Sequence, residues 1–381
     1  MSTRNNSLLA VLTHPTQYDP PIWAAIASTG ALGLNVWYLE ASPRRDSDIG
    51  AEVNWGDSRS KHYCCLSGVS GRLEVLLRQL DPSPAAVLLP GWRESGGSLL
   101  RRYCKRRGIP CILPTDTVIS EPHSIKDYIR PYFHFIGSKM HDGFWTTGRG
   151  GVGYLRSLGV AHSRIAQGLY PVDVSWWEGR LAHFREDSSR LRRSLGGGVD
   201  TFTAIAVCKF AEREDPIAVL RAFSRARSKM QRPARLILVG DGPLRETLQE
   251  ETHRLGLAGE VLMPGYVKYS DLAMYYGAAD TFVHMPPREP WGISVCEAMA
   301  CGLPVIGAPW VGAAQELIEE GVTGWMSGPD VEGLGDRMCQ SSQVQLSREA
   351  VLARAKRLVD VEVSARSLVG LVGRLSEKSV Q

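Results

Sequence analysis

Residues 286–304 have the sequence Pro-Pro-Arg-Glu-Pro-Trp-Gly-Ile-Ser-Val-Cys-Glu-Ala-Met-Ala-Cys-Gly-Leu-Pro, and this stretch decides the fold. A strand-like run at 281–284 precedes it, and a loop with a glycine leads into a helix predicted at 294–301. Ser294 is the predicted N-cap, and Gly302 ends the helix. Strand, loop and helix in this order form the repeating unit of a parallel α/β sheet. The N–H groups and the positive dipole end at such a helix start favour a bound phosphate.

Two carboxylates bracket this loop and helix, Glu289 before the glycine and Glu297 on the helix. Each also has an ordinary structural interpretation. Glu297 lies three residues after Ser294, where a glutamate can complete a capping box, and Glu289 can be an exposed loop acid. Taken together they fit better as acceptors of paired O–H bonds from sugar or ribose hydroxyls.

The alternation of short apolar runs and amphipathic stretches extends along the whole chain and predicts βαβ units with parallel sheets. Strands are predicted at 8–13, 34–40, 85–89, 111–115, 143–147, 201–208, 235–239, 261–263, 281–284 and 304–307. We expect an N-terminal Rossmann-like domain at 1–175, a linker at 176–200 that contains three consecutive glycines, and a second Rossmann-like domain at 201–350. Ligands of such sheets bind beyond the carboxyl ends of the strands.

Composition narrows the class of protein. The chain has 381 residues, 44% hydrophobic and 22% charged, which is typical of globular domains and fits about two of them. Its net charge of +4 is too small to indicate nucleic acid as the main partner. The apolar run at 8–12 is too short for a secretory signal, and the uncharged run at 298–315 contains prolines and glycines, which argues against a membrane-spanning helix. The expected location is the cytoplasm.

Two further features concern cysteines and charge. The eight cysteines form no Cys-x-x-Cys pair, and we expect reduced cysteines that serve packing. The helix predicted at 98–108 carries five basic residues, Arg101, Arg102, Lys105, Arg106 and Arg107. A solvated helix face is the ordinary interpretation, and a surface for a membrane or an acidic acceptor is the alternative.

The stretch at 289–306 resembles the E-x7-E segment of the family 4 retaining glycosyltransferases. Neighbouring segments agree in order and spacing, namely 236–243, 263–267, 279–280 and 312–324. The resemblance implies the GT-B fold, an α/β arrangement of two Rossmann-like doubly wound domains that face a central cleft. It also makes the helices at 351–381 candidates to cross back to the first domain.

The resemblance implies roles for individual residues. Glu297 would bind the ribose hydroxyls of the donor nucleotide, and Glu289 hydroxyls of the donor sugar. The backbone around Trp291, Gly292, Ile293 and Ser294 would contact sugar and phosphate, Val267 would lie against the base, and Gly312 belongs with these donor-binding residues. The donor is a substrate linked to UDP, GDP or dTDP, and no cofactor is expected.

The family's basic pair after the first strand of the second half is altered in this chain. Lys209 takes the first position, but Glu214 stands where the second lysine is expected, with Arg213 one residue earlier. A diphosphate leaving group needs cations because negative charge grows on it as the glycosidic bond breaks. We expect Lys209 and Arg213 to supply them, and a surface role is the alternative for Arg213.

No metal ligand set is expected. The one Asp-x-Asp sequence, Asp46-Ser47-Asp48, lies in a charged loop without a strand before it. In the first half, His14 and Thr16 follow the strand at 8–13, and Asp116 follows the strand at 111–115, so all three are acceptor-side candidates. Of these three, His14 is also predicted to be catalytic, together with Glu289, Lys209 and Arg213. The Gly-Gly pair that is common in the family's first loop is missing here.

The leading hypothesis is a retaining, metal-independent glycosyltransferase that moves a sugar from a nucleotide-sugar donor to an unidentified acceptor hydroxyl. The alternatives are a nucleotide-sugar 2-epimerase or phosphorylase on the same fold, and a non-catalytic subunit that binds nucleotide-sugar. A redox Rossmann enzyme is disfavoured, because the glycines of 148–153 do not have the Gly-x-Gly-x-x-Gly spacing.

Overall fold

The computed structural model describes residues 5–40, 44–45, 52–53, 64–91, 96–119, 125–196 and 200–378. These residues divide into two compact units. The first unit contains the chain up to Pro171, apart from Arg45–Ala51, and takes up the chain again from Val361. The second unit contains Val172–Asp360.

The first unit is built on a parallel sheet. Its elements in chain order are β1 (Asn5–Leu12), α1 (Asp19–Ser28), β2 (Gly33–Tyr38), β3 (Arg44–Arg45), β4 (Glu52–Val53), β5 (Cys64–Leu66), α2 (Leu73–Gln79), β6 (Pro84–Leu88), α3 (Gly97–Arg107), β7 (Cys111–Thr115), α4 (Ile125–Ser138), β8 (Gly143–Thr146), α5 (Arg149–Ser157) and β9 (Ile165–Gln167). Seven strands form the sheet in the order β5-β2-β1-β6-β7-β8-β9, and β3 pairs separately with β4.

The second unit follows the same plan. Its elements are α6 (Val174–His183), α7 (Arg185–Ser194), β10 (Phe202–Val207), α8 (Pro216–Lys229), β11 (Ala234–Val239), α9 (Arg245–Arg254), β12 (Val261–Gly265), α10 (Leu272–Gly277), β13 (Thr281–His284), α11 (Ile293–Ala300), β14 (Val305–Gly307), α12 (Gly312–Leu317), β15 (Gly324–Met326), α13 (Val331–Gln343) and α14 (Arg348–Leu358). Six parallel strands stand in the order β12-β11-β10-β13-β14-β15. The last helix, α15 (Val361–Lys378), belongs to the first unit.

The strands of both sheets are almost continuously apolar, as expected for sheets that helices cover on both faces. β10 and β11 have the sequences Phe-Thr-Ala-Ile-Ala-Val and Ala-Arg-Leu-Ile-Leu-Val, and nearly all of their residues are buried. Strands of parallel sheets read this way because helices cover both faces. In the first unit α1 and α15 pack on one face, where Leu368 and Leu371 are fully buried. The helices α2, α3 and α5 line the other face.

The fold class predicted from sequence is confirmed, since each unit is a parallel α/β sheet of Rossmann type. The region 176–200, which the sequence suggested as a linker, contains most of α6 and all of α7, which pack in the second unit. Arg192 of α7 donates to both carboxylate oxygens of Asp280, at 3.0 and 2.9 Å, and Ser188 donates to the Met274 carbonyl. These contacts come from residues some 90 positions away, which no local pattern reveals.

The start of α11 differs from the prediction. Gly292, with φ 90°, is the N-cap, and Ser294 lies inside the first turn, so the predicted cap at Ser294 is wrong. A left-handed backbone at Gly292 starts the helix earlier because glycine carries no Cβ penalty there. Glu297 therefore lies too far along the helix for a capping box.

Two features predicted from the sequence fall outside the described residues, the Asp46-Ser47-Asp48 loop and Gly197 and Gly198 of the glycine joint. The helix α4, with Pro131 in its interior, had no predicted counterpart. None of the helices in the described ranges is both long and apolar enough to cross a membrane.

Gly240, directly after β11, offers a test of the second sheet's edge. Its φ is 145°, and a Cβ there would lie 1.8 Å from the Cys208 carbonyl oxygen. We expect Gly240→Ala to lower the free energy of unfolding by about 3 kcal/mol or more, from backbone strain plus the clash. Urea denaturation measures it.

Gly256→Ala is the matched control, because Gly256 has φ 70° but nothing within 4 Å of a Cβ. It should cost only about 1 kcal/mol, the left-handed penalty alone. Equal losses in the two variants would contradict the close approach at Gly240.

Candidate functional site

The second sheet reverses its strand order between β10 and β13, which lie side by side. From β10 the chain moves to β11 and β12 on one side, and from β13 to β14 and β15 on the other. Ligands of open α/β sheets bind beyond the carboxyl ends of the strands at such a reversal. The loops that follow these strands carry most of the residues singled out from the sequence.

Close backbone contact ties the loops after β10 and β11 together. The Phe210 N–H donates to the Asp241 carbonyl at 2.9 Å, and the Leu244 N–H donates to the Phe210 carbonyl at 2.9 Å. A Cβ on Gly242 would lie 2.7 Å from the Phe210 carbonyl oxygen. Lys209 directly precedes Phe210 in the chain, so these bonds also fix its backbone position at the strand end.

The loop before α11 is braced at both ends. The Glu289 Oε1 accepts the Trp291 N–H at 3.1 Å, and the Trp291 carbonyl accepts the Ala313 N–H at 2.7 Å. Gly312 lies so close that a Cβ there would be 2.3 Å from the Pro290 carbonyl oxygen. Gly312 is therefore a packing requirement of this loop, whatever its part in ligand binding.

Trp291 itself is committed to the protein. Its side chain is 6% exposed and belongs to the core of the second unit. Its backbone N–H and backbone carbonyl both have partners in the chain. Among the predicted donor-binding residues, the first turn of α11 is left to offer amides, at Ile293 and Ser294 after Gly292. Negative charge is stabilised at such a helix start.

Glu297 is a buried carboxylate. It is 3% exposed, and its Oε2 accepts the Tyr276 hydroxyl hydrogen at 3.1 Å. Its charge contributes to raising the pKa of the Cys296 and Cys301 thiols, for which burial is the main cause. Glu289, by contrast, is only partly buried. The two predicted carboxylates thus lie in different environments on one strand–loop–helix unit.

His284, the last residue of β13, was missed by the sequence reasoning. Burial lowers its pKa to about 4, so the imidazole is neutral at pH 7. A Cβ on Gly292 would lie 3.2 Å from its Nε2, which places the ring directly under the start of α11. Its position at a strand's carboxyl end was a signal that could have identified it.

The cationic positions differ from one another. The Arg213 side chain is 60% exposed and lies 3.7 Å from Glu214, whose side chain is only 15% exposed. Lys209 is half-buried. The Glu214 carboxylate is thus turned into the protein, and the exposed Arg213 guanidinium partly neutralises it.

Val267 lies in the loop after β12, the edge strand of the second sheet. Val267 packs partly buried against the core after β12. Arg245, which the sequence reasoning did not select, lies 3.7 Å from the Asp241 carboxylate, and its guanidinium is 3.4 Å from a Cβ placed on Gly265. A positive charge therefore stands beside the turn predicted to contact the base.

A cavity of about 290 Å³ opens at the same edge of the second sheet. It lies against the N-caps of α8 and α13, Asp215 and Asp330, and against Met285 and Trp310. Trp310 is held by its indole N–H, which donates to the Pro286 carbonyl at 2.7 Å. The mixed apolar and carboxylate lining suits a neutral polar group better than an anion.

In the first unit the strand order reverses between β1 and β6. His14 and Thr16 lie in the loop after β1, and this loop is closed by Asp19 at the start of α1. The Asp19 Oδ2 accepts the Thr16 N–H at 2.7 Å, and the Asp19 N–H donates to the Thr16 carbonyl. Burial raises the Asp19 pKa to about 7, against hydrogen bonds from Thr16 and Tyr38 that lower it.

Asp116 follows β7 as predicted, and burial raises its pKa. The structure thus places His14, Thr16 and Asp116 at strand ends of the first unit and the other candidates at strand ends of the second. Within the described residues no cluster of three or more His, Cys, Asp and Glu side chains is arranged to hold a metal ion.

Comparison with known proteins shows which proteins the second unit is similar to. A model described as glycosyl transferases group 1 matches residues 187–356, which are somewhat less than half of the chain and lie entirely within the second unit. N-acetyl-alpha-D-glucosaminyl L-malate synthase of Bacillus anthracis is 30% identical over 159 residues, 42% of this chain and 40% of that protein. A GDP-mannose-dependent alpha-(1-6)-phosphatidylinositol monomannoside mannosyltransferase of Mycolicibacterium smegmatis is 32% identical over 164 residues, 41% of this chain and 42% of that protein.

The chain spans about two fifths of the length of these curated relatives. Over its full length it is similar in fold to Anabaena HepE, crystallised with UDP, with TM-score 0.71 and 16% identity over 95% of this chain and 98% of that one. The fold and the matched segment together define a protein of two Rossmann-like units whose second unit is similar to group 1 glycosyltransferases. The resemblance seen in the sequence is supported at this level.

Asp19 generates a pH prediction. Because its folded pKa of about 7 lies above the ordinary aspartate value of 3.8, the folded state between these pH values holds a proton that the unfolded state has lost. Stability should therefore fall as pH rises toward 7, by about 2 kcal/mol between pH 5.5 and 8.5. Asp19→Asn keeps an acceptor for the Thr16 N–H and should lack this component of the pH dependence.

Urea denaturation of wild type and Asp19→Asn at both pH values measures the difference, since all other titrating groups are shared. Parallel pH curves for the two proteins would show that the Asp19 carboxyl titrates as an ordinary exposed acid.

Proposed function

We propose that the protein transfers a sugar from a nucleoside diphosphate sugar to an acceptor hydroxyl, with retention at the anomeric carbon. One observation carries the proposal. The segment that matches group 1 glycosyltransferases brings Glu289, the N-terminus of α11 and the buried Glu297 to the strand-order reversal of the second sheet.

The donor's charged part fits the cationic side of this edge. The first-turn amides at Ile293 and Ser294, with the dipole of α11, would hold a phosphate group. Lys209 and Arg213 would neutralise the charge that grows on the diphosphate as its bond to the sugar weakens. The proposal thus assigns charge neutralisation to side chains and a helix end.

The donor's hydroxyl groups are assigned to the two carboxylates. Glu297 would accept O–H bonds from the ribose, and Glu289 from the sugar. A buried carboxylate is costly unless its oxygens are hydrogen-bonded, and the Tyr276 hydroxyl donates one such bond to Glu297. Val267 and Arg245 would border the base.

The proposed reaction is a front-face displacement. The bond between the anomeric carbon and the diphosphate oxygen breaks, and the acceptor oxygen bonds to that carbon from the same face. The acceptor's proton passes to the departing phosphate oxygen, so atoms and charge balance without an enzyme nucleophile. Exclusion of water would protect the sugar from hydrolysis.

The relatives' names point to different acceptors, L-malate in one and a phosphatidylinositol mannoside in the other. The acceptor is therefore left as a hydroxyl compound, with His14, Thr16 and Asp116 as predicted acceptor-side residues. HepE was crystallised with UDP, so UDP-sugars are the first donors to assay. A cytoplasmic enzyme is proposed, in keeping with eight free cysteines.

The second candidate is a non-catalytic subunit that binds nucleotide-sugar. The observation that favours it is Glu214, a largely buried carboxylate beside Arg213, at the place where the family has a lysine. Nucleoside diphosphate binding without sugar transfer would support this alternative.

Glu297 and Glu289 should affect different steps. We expect Glu297→Gln to weaken binding of UDP about tenfold or more, because ribose contacts are charge-assisted. Glu289→Gln should leave UDP binding almost unchanged and lower the rate of sugar transfer. Isothermal titration calorimetry with UDP and a transfer assay separate the two effects.

Tyr276→Phe is the matched control for Glu297, because it removes the hydroxyl contact and keeps the carboxylate. If Tyr276→Phe and Glu297→Gln weaken UDP binding equally, Glu297 acts only by joining α10 to α11, and the ribose assignment is wrong.

The cations should matter for turnover. Removing one group that stabilises developing charge typically costs about 10²–10³ in kcat, and we expect this for Lys209→Ala. Arg213→Ala should lower kcat, and Glu214→Lys should raise or preserve it. The measurement is kcat at saturating donor, with Arg190→Ala as the control for loss of an exposed arginine.

Full activity of Arg213→Ala would restrict charge neutralisation to Lys209. Full activity of Lys209→Ala as well would overturn the leaving-group model.

A further inference from the structure

The helix α4 of the first unit carries an unusual concentration of exposed apolar side chains. Five of the twelve large hydrophobic residues that are exposed in the described chain lie between 132 and 140. They are Tyr132, Phe133, Phe135, Ile136 and Met140, at 64%, 58%, 46%, 43% and 54% exposed. These five residues are called the α4 surface below. A contiguous apolar surface of this kind marks an interaction site on a water-soluble domain.

Along residues 131–138, the part of α4 whose side chains the structure describes, the inward side is polar, which is the reverse of an ordinary surface helix. Among the side chains described on α4, the buried ones are His134 and Ser138. The His134 Nδ1 lies 2.7 Å from the Tyr154 hydroxyl of α5, and the Ser138 hydroxyl donates to the Phe135 carbonyl. The His134–Tyr154 contact joins α4 to α5, the Ser138 bond lies within α4, and the aromatic rings of Tyr132, Phe133 and Phe135 are left outside.

Positive charge lies on the same face of the first sheet. α3 connects β6 to β7 and α4 connects β7 to β8, and right-handed crossovers place both helices on one side. Arg101 of α3 helps to lower the pKa of His141, three residues beyond α4, for which burial is the main cause. The exposed basic residues of α3 are Arg102, Lys105, Arg106 and Arg107.

Residues 97–142, which include α3 and α4, carry a net positive charge as large as that of the whole chain. Residues 97–142 contain eight Lys and Arg against four Asp and Glu, an excess of four that equals the net charge of the chain. Lys139 stands 5.1 Å from the centre of the Phe135 ring, so cation and aromatic groups are adjacent on the α4 surface. An exposed aromatic face bordered by lysine and arginine is the composition of interfacial membrane-binding helices.

We propose that the α4 surface and the basic face of α3 together bind the surface of an anionic lipid bilayer. The aromatic side chains enter the headgroup region, and the α3 cations meet lipid phosphates. A second copy of the chain fits less well, because two-fold pairing through α4 would bring two cationic α3 faces to one interface. The binding is peripheral, and it does not depend on the proposed transfer reaction.

Vesicle co-sedimentation of the full chain tests the proposal. Wild type should sediment with phosphatidylcholine vesicles that contain a third phosphatidylglycerol, and not with pure phosphatidylcholine, and added salt should release it. Phe133→Ser with Phe135→Ser should reduce the bound fraction at least tenfold. Arg102→Gln with Arg106→Gln should reduce affinity about thirtyfold, at roughly 1 kcal/mol for each of the two charges near the surface.

The controls match each change on the second unit. Val322→Ser with Val344→Ser removes exposed apolar side chains, and Arg190→Gln with Arg193→Gln removes exposed charges. Both should bind vesicles as wild type does. Circular dichroism and thermal melting establish that every variant is folded.

Three results would overturn the proposal. They are failure of wild type to sediment with anionic vesicles, wild-type binding by the Phe133/Phe135 double variant, and equal loss in the second-unit controls. Light scattering tests whether a second copy of the chain covers the α4 surface instead. A wild-type dimer that becomes monomeric in the Phe133/Phe135 variant would assign the surface to self-association.

Discussion

Pairing of β10 with β13 is the interaction on which the candidate site depends. Ala204 and Ile205 pair with Thr281 and Phe282 in parallel register, so two strands separated by more than 70 residues end at the same sheet edge. Asp280 secures the entry to β13, because its carboxylate accepts the Thr203 N–H at 2.8 Å and two bonds from Arg192. A charge-assisted pair of this kind, at a strand start, specifies register as well as position. The strand-order reversal beside it then creates the edge at which both Lys209 and the loop before α11 lie.

Close backbone approach completes that edge. Gly240, Gly242 and Gly312 each lie where a Cβ would overlap a carbonyl oxygen of a neighbouring loop. Loops that approach this closely bond through their amides and carbonyls, which leaves little freedom for movement at the strand ends. A site built in this way holds its groups before a ligand arrives, and this preorganisation is what makes charge stabilisation effective.

The polar groups at the edge are arranged by burial. Glu297 and His284 are almost fully buried, Glu289 is partly buried, and Arg213 is mainly exposed. His284 stays neutral below Gly292, so it adds no charge at the start of α11. Glu214 is directed inward with Arg213 beside it, which places the more exposed of the two charges, the positive one, toward solvent.

The sequence by itself determined the class of fold, and it placed the candidate site residues on loops and a helix of one predicted strand–loop–helix unit and its neighbours. Strand-forming runs such as 202–207 and 234–239, the glycines after them and the carboxylates 289 and 297 are local patterns, and parallel sheets place the ends of such runs at one edge. Tertiary structure alone decided which residues are buried and which elements pack together. The start of α11 at Gly292, the burial of Trp291, the attachment of α6 and α7 to the second unit and the outward aromatic side of α4 depend on contacts between distant parts of the chain. The periodicity of apolar residues indicates which face of a helix or strand is buried. Which element covers that face depends on packing energy summed over the whole fold.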